Sequence, residues 1–324
     1  MQLTNEWISG FVDGEGCFNI QKIKAFNNTQ KKLLGERVTK KKTEGIDNNC
    51  FLRHRFIVSQ DKRSVNVLYG LKRKLKCGTV HKAGAKMMAF QVIQKSHLEN
   101  IIIPFFQKYG LKTTKRESFR LFVESLKNIK QKQYTDTVMG IEKEKSCLSS
   151  SLSCAFVRDK KIYSFSENIF AYNFSDNWFR GFVDAEGCFS VSLVKDYPRP
   201  QLIIALYSKE KQLLVELQKF LKCGTLRTRK DGAEILQIVS SKDLERYIFP
   251  KLQTKGGAVL LQSSKRISYM NFRKIVRLIM EKKHKTVQGL EKIKKYKGYL
   301  NKQNSLITIT KTEKEIFMMT SNTP

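Results

Sequence analysis

A twelve-residue segment occurs twice in this chain. Trp7-Ile-Ser-Gly-Phe-Val-Asp-Gly-Glu-Gly-Cys-Phe18 returns as Trp178-Phe-Arg-Gly-Phe-Val-Asp-Ala-Glu-Gly-Cys-Phe189, shifted by 178 − 7 = 171 residues, with nine of the twelve positions identical. In 324 residues that shift is about half the length. The chain therefore reads as two related units, each long enough to bury a core. Any fold assigned to it must accommodate both copies, and one acid, Glu15 or Glu186, near the end of each.

Each copy begins as a helix. Ile8, Phe11 and Val12 fall at i, i+3 and i+4 and make one apolar stripe. Gly10 and Gly14 lie four apart on one side, and their equivalents are Gly181 and Ala185. Small residues at that spacing let two helix backbones approach closely, a steric argument that holds in water as in a membrane. The spacing predicts that the two motif helices pack through these four residues. The alternative is that the glycines merely end a short helix. After Gly16 and Gly187 the period changes to two. Phe18 and Ile20 alternate with Asn19 and Gln21, and the second copy sets Ser190 and Ser192 on its polar face.

The rest of each unit keeps step. A Lys-, Asn- and Thr-rich loop over 25–50 is replaced in the second unit by the short turn Asp196–Pro200. The strand Arg53–Gln60 is matched by Gln201–Leu206, and a helix over 64–76 by one over 209–222. Both helices end in Leu-Lys-Cys-Gly-Thr, with Gly78 and Gly224 expected at the C-caps. A hairpin follows in each, turning at Gly84 and at Asp231-Gly232. A short helix, the matched segments from Leu111 and Leu261, and a long amphipathic helix close each unit. One unit thus has the order αββαββα. The expected boundaries are 1–139 for the first repeat, 140–176 for a linker, 177–301 for the second repeat and 302–324 for a poorly ordered tail.

Charge narrows the partner. The chain carries 61 Lys+Arg against 29 Asp+Glu, a formal net charge of +32. Nucleic acid is the expected partner, because each neutralised phosphate releases counterions. A membrane surface is the alternative, but no apolar run of about eighteen residues predicts a span. Met1–Glu6 runs straight into the first motif with no basic or apolar lead-in, so neither a secretory signal nor an Arg/Ser-rich transit peptide is expected. None of the seven cysteines forms a CxxC pair. Cys17 with Cys188, and Cys77 with Cys223, read as small buried packing residues rather than a disulfide or zinc framework.

The duplicated motif, the half-length repeat and the αββαββα order together resemble the LAGLIDADG homing endonucleases, especially their single-chain, double-motif form from organellar introns. The name-giving pattern falls on Ile8–Gly16 and Phe179–Gly187. The resemblance covers roughly residues 3–300, including a late Lys-Lys-His284 helix. It implies an α+β fold of two pseudo-symmetric halves. The motif helices would form the interface, and curved antiparallel sheets would form a basic saddle over the DNA major groove. It also implies a monomer of mitochondrial or chloroplast origin.

Phosphodiester hydrolysis needs a nucleophilic hydroxide, neutralised charge at the phosphate and a stabilised leaving oxygen. Divalent metals supply all three, and hard oxygen ligands hold Mg²⁺. A helix C-terminus carries partial negative charge, so a carboxylate there favours a bound cation. Glu15 and Glu186 are accordingly the expected metal ligands and catalytic acids, or else two solvated helix-end acids. The resemblance adds the carbonyls of Gly14 and Ala185 to the ligand set. Asp13 and Asp184, duplicated as well, read as structural. Lys115 and Lys265 occupy equivalent positions, where the resemblance implies a lysine near the scissile phosphates. Lys112 is a rival whose repeat partner is Gln262. Gln60 matches a water-positioning glutamine of some relatives, but its counterpart is Leu206, so that role would be one-sided. For target reading the candidates are Asn19, Gln21, Lys24, Arg53, Arg55, His81, Ser190, Ser192, Lys195, Arg199, Arg227 and Arg229, each able to face a base or a phosphate.

The function expected is a site-specific, Mg²⁺-dependent endonuclease cutting both strands of double-stranded DNA with 3′ overhangs. The alternatives are a maturase acting on its own intron RNA and a non-catalytic DNA-binding protein. Both acids favour the first, because a pure binder needs neither.

Overall fold

The computed structural model describes residues 3–24, 50–128 and 172–300. The first half runs α1 (Asn5–Glu15), β1 (Gly16–Lys24), β2 (Cys50–Asp61), α2 (Val65–Leu75), β3 (Thr79–Lys82), β4 (Met87–Val92), α3 (95–108) and α4 (Lys115–Asn128). The second runs α5 (Asp176–Glu186), β5 (Gly187–Val194), β6 (Tyr197–Leu206), α6 (Lys211–Leu221), β7 (Thr225–Thr228), β8 (Glu234–Ile238), α7 (241–252), α8 (Lys265–Met280) and α9 (Val287–Lys297). Each half forms one antiparallel four-stranded sheet, ordered β1-β2-β4-β3 and β5-β6-β8-β7. The mixed α+β, double-motif architecture is the expected one. The short helix before each closing helix contains a π-turn in both halves, at Leu98–Ile102 and Leu244–Ile248.

Period-two patterning decides which sheet face is covered. Phe18, Phe56, Val58, Phe90 and Val92 point inward against α2, α3 and α4, with Phe106 and Phe122 among them. The second half packs Phe189, Leu202, Ile204, Leu236, Phe249, Tyr269 and Phe272 in the same way. Among the described residues no helix covers the opposite face of either sheet, which carries mainly polar side chains.

Three local expectations need correction. The turn expected at Asp196–Pro200 is only Lys195-Asp196, both with positive φ (47° and 60°), and β6 already begins at Tyr197. Prolines survive there because Pro198 and Pro200 pair only with β5. The β8 ladder joins β6 from Leu202 onward, so neither proline costs a hydrogen bond on that side. The left-handed C-cap residues of α2 and α6 are Lys76 (φ 54°) and Lys222 (φ 56°) rather than glycine. Gly78 has a positive φ of its own, and a Cβ there would stand 2.6 Å from the Phe90 ring. The cysteine pairs also differ from expectation: Cys77 is buried, Cys17 and Cys223 are half-buried, and Cys188 is exposed.

The loop over 25–49 and the tail over 301–324 lie outside the described residues, as does the linker up to 171. Its last residues belong to the second half: Tyr172 stacks on Phe174, which packs against Trp178 and Phe220.

The halves join through α1 and α5. A Cβ added at Gly10 would lie 2.1 Å from the Trp178 carbonyl oxygen, and one at Gly181 would lie 2.0 Å from that of Trp7. No side chain fits at either position, so the backbones are in direct contact. Side chains lock the join. Trp7 Nε1 donates to Asp184 (3.1 Å), and Trp178 Nε1 donates to Asp13 (2.8 Å), each crossing to the other half. Asp13 also accepts from the Lys112 and Thr113 amides, and Asp184 from those of Gln262 and Ser263. Ser64 meets Ser264 at 3.0 Å, and Glu210 accepts the Thr114 amide at 2.9 Å, at equivalent points on either side.

Candidate active site at the paired helix ends

Packing α1 on α5 brings their C-termini together. Gly14 lies so close to Ala185 that a Cβ on it would stand 2.3 Å from the alanine methyl and 3.1 Å from Glu186 Oε1. The Glu186 carboxylate therefore lies over Gly14, next to Glu15. Burial and the neighbouring Glu186 push the Glu15 carboxyl above the usual range, against the pull of Lys265, a Gln60 hydrogen bond and Lys115. Gln60 is 8 % exposed at the inner end of β2. Its counterpart Leu206 has nothing to donate to Glu186, so the two ends are unequal.

Asp13 and Asp184 do not join this cluster. They are buried beneath amide, hydroxyl and indole donors, and burial pushes both carboxyls up. They tie the segment before α4 to α1 and the segment before α8 to α5.

Those ties position the two lysines. Lys115 opens α4, and its Nζ donates to the carbonyls of Gly14 and of Val12, the latter at 3.3 Å. Lys265 opens α8 and donates to Ala185 O at 2.5 Å and Val183 O at 3.5 Å. Burial holds the Lys265 ammonium below its usual range, although Glu15, Glu186 and Asp184 all favour its charge. Lys112, the rival, instead sits over the Trp178 ring at 5.9 Å, away from those carbonyls.

The oxygens gathered here suit a hard divalent cation: two carboxylates and two helix-end carbonyls, where the helix dipole is negative. Glu15, Glu186, Gly14 O and Ala185 O could serve as ligands to such ions, with one carbonyl from each helix end. Among the described residues no cluster of three or more His, Cys, Asp and Glu side chains could do so. Any ion here would therefore complete its shell with carbonyl, water or phosphate oxygens.

On the open sheet faces, register sorts the remaining candidates. Asn19 pairs with Arg55 and Gln21 with Arg53, and Arg55 Nη2 donates to Asn19 Oδ1 at 3.2 Å. The buried Arg55 Nε has no protein partner. His81 pairs with Ala89, Ser190 with Gln201, and Ser192 with Arg199, all on this face. Arg227 pairs with Ile235, while Arg229 lies at the hairpin turn and forms an ion pair with Asp231. Lys195 sits at the β5–β6 tip rather than on the sheet face. Lys24 ends β1, with its side chain outside the described residues.

Sequence reasoning passed over Gln201 and Gln237, which are hydrogen-bonded to each other on the open face of the second sheet. The signal was there. Gln201, Ile203 and Ala205 alternate with the buried Leu202 and Ile204, so Gln201 had to face outward. Tyr197, 53 % exposed at the start of β6, falls within the stretch Asp196–Pro200 that reads as a turn in the sequence.

A family model described as LAGLIDADG endonuclease matches residues 8–126 and 179–276, both halves of the chain. The chain belongs to the LAGLIDADG endonuclease family. A relative named probable intron-encoded endonuclease 2, of Neurospora crassa, is 28% identical over 239 residues, covering 67% of this chain and 51% of the relative. A DNA endonuclease of Chlorella vulgaris, I-CvuI, is 34% identical over 97 residues, covering 26% of this chain and 60% of its own. The chain spans about half the length of the Neurospora relatives it matches. The meganuclease I-SmaMI, solved bound to uncleavable DNA, shares the fold with a TM-score of 0.73 at 23% identity, covering 94% of this chain and 100% of its own. No described helix is long and apolar enough to cross a membrane.

Proposed function

We propose that this chain is a site-specific, Mg²⁺-dependent homing endonuclease that cuts both strands of double-stranded DNA from one face. The observation that carries this reading is the meeting of Glu15 and Glu186 at the joined ends of α1 and α5. Two sheets with open polar faces flank that point, in a chain of net charge +32. Relatives named as intron-encoded endonucleases support it, and support an origin in an organellar intron.

When bound, the divalent ion would supply an activated hydroxide and neutralise charge at the phosphate. Glu15 and Glu186, with Gly14 O and Ala185 O, would hold such ions, one centre for each strand. The Gln60 hydrogen bond orients the Glu15 carboxylate and so serves only one of the two centres. Lys115 and Lys265, whose ammonium groups donate to those carbonyls, would bring positive charge to the scissile phosphates. Asn19, Gln21, Arg53, Arg55 and His81 would read one half of the target. Ser190, Ser192, Arg199, Gln201, Arg227 and Gln237 would read the other. Because the two sets differ, the target would be asymmetric and one chain would suffice. The break would leave 3′ overhangs.

The test is incubation with plasmid DNA carrying the joined exons that flank the gene's intron. Linear product with Mg²⁺, intact plasmid with EDTA, and no cutting of the intron-containing allele are the expected results. Failure to cut that junction under any divalent ion would refute the reading.

A further inference from the structure

Lys115 and Lys265 do more than stand near a phosphate. Each ammonium donates to a carbonyl that the proposed site offers to a metal, Gly14 O for one and Ala185 O for the other. The arrangement is duplicated, so it is a property of the repeat and not of one side chain. Each lysine is also built in from its backbone. The amides of Lys115 and Lys265 donate to Thr113 Oγ1 and Ser263 Oγ, at 3.3 Å and 3.2 Å. Those hydroxyls donate to Asp13 and Asp184 of the motif helices. The lysine Cα is thereby tied to the site through its backbone.

We propose that Lys115 and Lys265 are resident counter-ions of the two metal seats: a divalent ion gains Gly14 O or Ala185 O only by displacing an ammonium, which then turns to a DNA phosphate. The proposal rests on the metal-dependent reading above. An ammonium and a dication on one carbonyl oxygen would stand a few ångströms apart in a half-buried setting and repel, so one excludes the other. The acid pair at the helix ends needs positive charge, and the chain supplies it from within. A phosphate gives the displaced ammonium another acceptor, so DNA and metal favour the same lysine position. Coupling of that kind is reciprocal: DNA tightens metal binding and metal tightens DNA binding. The nuclease would then load its metal mainly on DNA.

Calcium binding to the DNA-free full chain, followed by isothermal titration calorimetry, tests this. Lys115→Met and Lys265→Met should each tighten one site by about tenfold or more, and the double variant both. Lys112→Met removes an equal charge near Asp13 but off the carbonyls, and should leave affinity within about twofold of the unaltered chain. In the unaltered chain, the two side-chain ammonium signals in ¹⁵N-lysine NMR should shift or broaden as calcium is added. This readout holds even if the double variant does not fold. Equal affinity in all variants, equal tightening in Lys112→Met, or ammonium signals indifferent to saturating calcium would overturn the displacement alone. Absence of calcium binding in every form, with and without DNA, would instead remove the metal reading beneath it.

Discussion

Asp13 and Glu15 lie two residues apart and meet opposite surroundings. Asp13 turns into the interface, 2 % exposed, under the Thr113 hydroxyl and the indole of Trp178. Glu15 emerges at the helix end beside Glu186. Their roles separate by test. Trp178→Phe leaves Asp13 short of one donor and should cost about 1–2 kcal/mol in urea unfolding without changing calcium affinity. A second titratable residue sits far from the site. Burial, with Lys95 nearby, lowers His54 to about 4, and its Nε2 lies 2.8 Å from Ser125 Oγ. The unfolded chain binds this proton near pH 6.5, so between pH 6.5 and 4 it holds more protons than the folded chain. Stability present above pH 6.5 should therefore fall on acidification through that window. His54→Leu should flatten that part of the pH–stability curve, measured by urea melts. Duplication, the helix-end position and the family resemblance together single out Glu15 and Glu186 in the sequence. The Lys265–Ala185 contact was not, because it depends on a side chain eighty positions away crossing to a helix end.

At the scale of elements, the α1–α5 contact is the most demanding feature. Gly10→Ala or Gly181→Ala would force a methyl into a carbonyl oxygen about 2 Å away. Each should cost about 3 kcal/mol or more, seen as a large drop in Tm or as insoluble protein. Gly110→Ala, with nothing within 4 Å, should be nearly neutral. The small-residue spacing foretold this contact because its cause is steric and local. The indole-to-aspartate exchange across it was not legible, since it depends on where two tryptophans arrive once the halves have met. The αββαββα order could be read from the change of period in both halves, but not the division of the second closing helix into α8 and α9. The β5–β6 turn was misread because Pro198 and Pro200 look like turn residues until the ladder shows them beside an unpaired edge. The glycine after each Leu-Lys-Cys was misassigned for a related reason. A lysine takes the left-handed cap, and the glycine serves the next tight approach.

Across the whole molecule, charge and pseudo-symmetry act together. A net charge of +32 should make DNA affinity fall steeply with salt. Each phosphate-contacting Lys or Arg removed should reduce the log–log slope by about 0.9. Base readers should behave differently. Gln201→Ala or Gln237→Ala should relax preference in one half of the target by about 1–3 kcal/mol per lost base contact, leaving the other half and the salt slope unchanged. Specificity profiling on randomised half-sites would show this. The central claim is that two acids, 171 residues apart in sequence, form one site with one acid per strand. Its most direct measurement is the product made from supercoiled target plasmid by Glu15→Gln and by Glu186→Gln. Each variant should stop at the nicked circle, with opposite strands left intact. Linear product from either variant at the unaltered rate would contradict it.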